Sequence, residues 1–404
     1  GAFGDLATIR PTFSPAIWTT IVTGQAPSRH GIEDFSTRRV AGVAEALRST
    51  RLPEGVAFGG LYHYLEDSGR ITEGPVVSSE RRVPAFWELA TAQGSPIAVV
   101  NFWATWPAEP VLGSVVSERL YYWRQQARSG APPEEGHLTF PASLYDEIRP
   151  LTMAPEDVSF EDSRAFMDVS PEEFEAMRHT SLHAKSIQGE FKYLYSMFET
   201  QRRISLHLID RTRRRFGAPA DLLVLFRIVD IASHRSLAES ELVEDHLDAT
   251  DGDVRKFGRV VSEAYRRADA ALGEILAAFG DANVVVVSDH GFRREPFQGR
   301  PRYQHSFAPP GIFLGAGPAF RPGPVEGLTV FDVFPLLACL KGFPVAEDLR
   351  GHLREDLLAP AFLASHPVRR VPTYGPRGSP ILARSLKETD DAFLERLRAL
   401  GYIQ

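Results

Sequence analysis

The sequence predicts an α/β protein in which helices cover both faces of a mainly parallel sheet. Three observations carry that class: apolar runs too short for helices and too continuous for a one-sided sheet, an amphipathic helical stretch between two of them, and polar clusters directly after two of the runs.

From the amino end, Ser14-Pro15 precedes a stretch from Ala16 to Val22 that suits a helix ending at Thr23-Gly24. The first apolar run is Ile97 to Val100. The pattern then changes between about Ser117 and Phe216, which is rich in charge and helix formers. Within it Ser170-Pro171-Glu172-Glu173 has the form of a helix start, and helical spacing runs from Phe174 through Tyr193, Met197 and Leu208. A second run, Leu222 to Ile228, is followed by a helix with apolar positions Phe257, Val260, Val261, Ala264, Ala268, Leu272, Ile275 and Leu276, stopped at Gly280. Val284 to Val287 is the third run and Ile312 to Leu314 a shorter fourth. Beyond His366 the chain is rich in Pro and Arg and ends in a helix near Thr389 to Leu400. The expected organisation is a catalytic α/β domain over 1–116 and 217–365, a helical insertion or cap over 117–216, and a linker with a packing helix over 366–404.

A net charge of -7 argues against a general nucleic-acid binder, and no run of 18 or more apolar residues reads as a membrane span. Cys339 is the single cysteine, which excludes an intrachain disulfide and a cysteine-based zinc site. Lysine supplies only five of the 45 basic residues, so the Arg211, Arg213, Arg214 and Arg215 cluster reads as a solvated helix end.

Asp230 and His234 are placed at the end of the second run, and Asp289 and His290 at the end of the third. Carboxylate and imidazole at the C-terminal ends of parallel strands converge on one crevice and suit zinc, with manganese and iron also fitting. Ser14, at a helix N-terminus, has its hydroxyl where an anionic phosphoryl group binds, or where a plain N-cap sits. His305 lies in Tyr303-Gln304-His305-Ser306, before the fourth run.

These segments, with VNFWATWPAE and DVFPLLACLKGFPVAEDLRGH, give a chain that resembles the alkaline phosphatase superfamily over nearly its whole length, in particular the type I phosphodiesterase and nucleotide pyrophosphatase branch. The resemblance implies an alkaline-phosphatase-like α/β/α sandwich and a metal-dependent phosphoric-ester hydrolase with a phosphoseryl intermediate. Its nucleophile stands nine residues before the Thr of a Thr-Gly pair, which is Ser14 and not Thr12. It implies two divalent ions, zinc by preference: one on Asp230, His234 and His305, the other on Asp289, His290, Ser14 and an Asp of a first strand. That strand is expected upstream of Gly1, which leaves the second set one carboxylate short and this chain weakly active or inactive. Phe35 stands where nucleotide pyrophosphatases carry a phosphate-binding Asn. A sulfatase would need Pro and Arg where Ala16 and Trp18 stand. The partner implied is a small phosphate ester; the rival readings are a noncatalytic metal-binding scaffold and a phosphomonoesterase. Asn101 is weighed as a substrate contact against strand termination, while His352 and Asp332 read as structural.

Overall fold

Strand β1 (Ala2–Ala7) leads into helix α1 (Ser14–Thr23), every residue of which is buried. Gly24 ends α1 at φ 65°, where an added Cβ would press within 2.9 Å of Leu349 Cδ2. The structure is a computed structural model and describes residues 1–43, 64–65, 68–121, 137–180, 186–297, 300–378 and 387–399. The short α2 (Pro27–His30) is followed by the antiparallel pair β2 (Ser36–Val40) and β3 (Ile71–Pro75), then by α3 (Phe86–Ala92), β4 (Ile97–Val100), β5 (Gly113–Val116) and β6 (Thr139–Phe140). Four helices come next: α4 (Leu144–Ile148), α5 (Phe160–Phe166), α6 (Pro171–Arg178) and α7 (Ile187–Phe216). Strand β7 (Asp221–Val224), helices α8 (Ile228–Ser236), α9 (Asp251–Phe257) and α10 (Val260–Phe279), and strand β8 (Val284–Val287) follow. A hairpin of β9 (Arg293–Phe297) and β10 (Arg300–Gln304) precedes β11 (Gly311–Ala316), the short β12 (Gly323–Pro324) and β13 (Leu328–Thr329), and helices α11 (Val333–Leu340), α12 (Pro360–Ser365) and α13 (Lys387–Ala399).

The architecture is of the expected α/β class, with its main strands in two sheets. In the first, ordered β6-β5-β4-β7, β5, β4 and β7 run parallel and β6 antiparallel. In the second, β12-β1-β11-β8, strand β11 is antiparallel to both β1 and β8. The fourth apolar run is therefore a strand of opposite sense, because β11 returns from β8 through the β9–β10 hairpin. Among the described residues no ladder joins β7 to β8.

Two further expectations are corrected. The run Leu222 to Ile228 is not one strand: pairing stops at Val224, and Ile228 already opens α8, so Asp230 and His234 lie on a helix. Helical turns satisfy the backbone there once no partner strand continues. The helix expected from Phe257 is split at Gly258-Arg259, with Phe257 the last residue of α9.

The capping expectation at Ser170 is met: its hydroxyl accepts from Glu173 N, and Glu173 returns a bond to Ser170 N. The helical spacing read from Phe174 onward belongs to two helices, α6 and the 30-residue α7. Arg213, Arg214 and Arg215 fall in the last turn of α7, beside the C-terminal dipole end. The largest apolar core among the described residues joins α1, α3, α8, α10 and α11 to the sheets, with Phe86, Phe198, Phe313 and Phe334 fully enclosed, and a smaller one gathers Val100, Trp106, Leu144 and Leu208. No helix among the described residues is long and apolar enough to cross a membrane.

Candidate active site

Ser14 is the first residue of α1, with Phe13 in the extended N-cap position and no side-chain cap. The hydroxyl is thus not consumed by capping, and it is buried 3.4 Å from His290 Nε2. His290 Nδ1 lies 3.1 Å from the Gly291 carbonyl oxygen; that bond assigns the ring proton to Nδ1 and leaves Nε2 as an acceptor for the Ser14 hydroxyl. Asp289 Oδ2 stands 3.4 Å from the same Nε2. It is buried and accepts no hydrogen bond among the described residues. Two acceptors facing each other at that distance, one of them a carboxylate, are what a bound cation relieves.

The other half of the cluster comes from α8 and the loop after β10. His234 Nε2 lies 3.7 Å from Asp230 Oδ1, one helical turn away. The rings of His234 and His305 meet edge to face at 4.8 Å, and those of His305 and His290 stack at 4.2 Å. Ser14, His290, His305, His234 and Asp230 therefore form one chain of contacts, with Asp289 on His290. All six residues singled out in the sequence are brought together.

Burial drives the His234 imidazole down to about 3, with the Asp230 carboxylate opposing it only in part. Burial, then the neighbouring His290 ring, holds His305 below the usual imidazole range. Both rings are neutral at neutral pH and offer nitrogen lone pairs. The donor chemistry thus fits divalent cations. Among the described residues, however, no group of three or more His, Cys, Asp or Glu side chains is already set in an ion-holding geometry.

Two residues of the cluster were not assigned there from sequence. Thr12, weighed only as a nucleophile, donates its hydroxyl to the His305 carbonyl oxygen and lies 3.4 Å from His305 Nδ1. Since that hydroxyl proton is committed, its oxygen accepts from Nδ1–H, leaving His305 Nε2 as the free ring nitrogen. Phe292 packs against His234, His290 and His305 at ring distances of 5.0, 5.7 and 5.8 Å. The only hint of it in the sequence is an aromatic residue just past Asp289-His290-Gly291.

Phe35 is buried against Trp103 at 5.3 Å, so the position offers an aromatic core contact where an amide was sought. Asn101 directly follows β4 with φ 63° and donates from Nδ2 to Leu225 O at 2.8 Å, a strand-end clasp. Asp332 accepts from Thr329 and from His352 N, which makes both structural.

Residues 1–328 match the family described as type I phosphodiesterase / nucleotide pyrophosphatase. No curated protein matches the sequence. Among solved structures, murine ectonucleotide pyrophosphatase / phosphodiesterase 5 aligns over 89% of this chain and 92% of its own, at 13% identity and a TM-score of 0.43. The human protein of the same name aligns over 89% and 91%, at 13% identity and 0.45. A structure of Ps i-CgsB with k-i-k-neocarrahexaose aligns over 87% and 66%, at 11% identity and 0.40. With that family match spanning every residue of the cluster, the chain belongs to the type I phosphodiesterase / nucleotide pyrophosphatase family and is a phosphoester hydrolase of that kind.

Proposed function

We propose that the chain cleaves phosphodiesters with Ser14 as nucleophile, through a phosphoseryl intermediate, and that it depends on two divalent ions, zinc by preference. The observation that carries this reading is the uncapped Ser14 hydroxyl, buried beside the facing acceptors His290 Nε2 and Asp289 Oδ2.

Asp230, His234 and His305 would hold one ion, and Asp289, His290 and Ser14 the other. Bound there, the ions lower the pKa of the attacking oxygen and offset charge on the phosphoryl oxygens. The chain's own residues supply the rest. The N-terminal end of α1 favours an anionic phosphoryl group next to Ser14. Thr12 fixes the tautomer of His305, and Phe292 walls the three rings. Ser14 Oγ forms a bond to phosphorus as the first ester bond breaks, its hydroxyl proton balancing the departing alkoxide, which leaves as the alcohol. Water then cleaves the Ser14–phosphorus bond, restoring the hydroxyl and releasing the monoester.

A noncatalytic scaffold has one observation in its favour, the lack of a ready three-residue ion site among the described residues. The two readings part on Ser14→Ala. With zinc or manganese present, hydrolysis of bis(4-nitrophenyl) phosphate is expected to fall by on the order of a thousandfold or more. Equal, background-level rates from wild type and variant would overturn the enzyme reading in favour of the scaffold.

A further inference from the structure

Next to the cluster, an exposed aromatic ring is held between two arginines. Phe307 is 54% exposed and lies two residues from His305, so its backbone is within about 7 Å of that of His305. The guanidinium carbons of Arg10 and Arg293 stand 5.9 and 5.7 Å from the centre of its ring. Arg10 comes from the segment leading to Thr12 and Ser14, and Arg293 opens β9, just past Phe292.

The arrangement has a buried support. Glu295 is 7% exposed, and its Oε1 accepts from both Phe307 N at 2.8 Å and Arg293 Nε at 3.0 Å. One carboxylate therefore fixes the loop that carries the ring and the stem of one guanidinium. Arg10 Nη2 reaches only the Ala308 carbonyl oxygen, at 3.5 Å, and Arg10 makes no ion pair among the described residues. One carboxylate against two guanidiniums leaves surplus positive charge on a fixed aromatic surface. Guanidinium groups over a ring keep their N–H edges for planar anions.

We infer that Arg10, Phe307 and Arg293 form a subsite that takes a second anionic group, carboxylate or phosphate, on a substituent of the ester being cleaved. The inference rests on the phosphoester reading for the position of the scissile bond, but the binding itself needs no turnover. The probes are 4-nitrophenol and its carboxylated analogue 5-hydroxy-2-nitrobenzoate, titrated calorimetrically into the whole chain. The corresponding bis-aryl phosphodiesters serve for kinetics.

The carboxylated phenol is expected to bind more tightly than 4-nitrophenol, and Arg10→Gln or Arg293→Gln to cut that preference by about fivefold each. Phe307→Ala, which removes the ring both arginines rest on, is expected to reduce it as well. Arg266→Ala on α10, another exposed arginine, controls for net charge. In kinetics the preference is expected in KM more than in kcat. Equal affinity for the two phenols, or a preference unmoved by all three substitutions, overturns the subsite. Hydrolysis of neither diester, with the binding preference intact, overturns the phosphodiesterase reading and leaves the subsite standing.

Discussion

At the residue scale, Thr12 and His30 show how single polar side chains set protonation. Thr12 commits the proton on His305, so Thr12→Val, with the same shape and no hydroxyl, is expected to weaken zinc binding by about tenfold while Thr12→Ser retains it. Competition with a chromophoric chelator measures this directly. His30 is fully buried, accepting from Ile32 N through Nδ1 and bonded to Thr20 Oγ1 through Nε2. Burial lowers its pKa from 6.5 to about 3. Between those values the unfolded chain holds the extra proton, so stability falls as pH drops from 6.5 toward 3, by at most about 1.4 kcal/mol per pH unit from this group. Urea midpoints across that range should show a flatter acid limb for His30→Gln; an unchanged slope would clear His30 of the effect. Ser14 was legible in the sequence because its offset from Thr23-Gly24 and its place before Pro15 are local facts. Thr12 and Phe292 were not, since their roles exist only once residues nearly three hundred apart in one case, and three separate segments in the other, have met.

At the scale of elements, α8 carries two of the six cluster residues, Asp230 and His234, and is pinned by α7. Arg235, next to His234 on α8, pairs through Nε with Glu190 Oε2 at 2.5 Å, and Glu190 is 3% exposed. Breaking a buried pair by removing one charge costs about 3 kcal/mol or more, so Glu190→Gln should lower the urea midpoint markedly. A Glu190→Met/Arg235→Met pair should recover most of the loss; a single variant with wild-type stability would show the pair to be dispensable. The sequence made α1, β4, β8 and the Ser170 cap legible, each through short-range signals. It misread Leu222 to Ile228 because the apolar residues run on past Val224 with no Gly or Pro to mark where strand gives way to helix, and Arg227, the N-cap of α8, is not a residue that signals a helix start. It also misread β11 as one more parallel strand, since an apolar run shows which residues are buried and is silent on strand sense.

Taken as a whole, the molecule places its candidate site across two hydrogen-bonded sheets. His234 belongs to the helix after β7 and His290 to the turn after β8, strands of different ladders. An ion on Asp230, His234 and His305 would tie the helix after β7 to the loop that leads into β11, the strand laddered to β8. Zinc at a hundred times its dissociation constant is expected to add about 2.7 kcal/mol of stability, with slowed amide exchange in both β7 and β8. Protection confined to one of the strands would mean that the halves do not share a site.

The unjoined strands have a further consequence. β7 is laddered only to β4 and β8 only to β11 among the described residues, and the valines of β8 are half-buried. Each of these strands thus has one side with no ladder among the described residues, whereas β4 and β11 are laddered on both sides, so opening of β7 and β8 breaks fewer backbone bonds. Amide exchange should then be faster in β7 and β8 than in β4 and β11; equal protection of all four strands would show that the unladdered sides are covered.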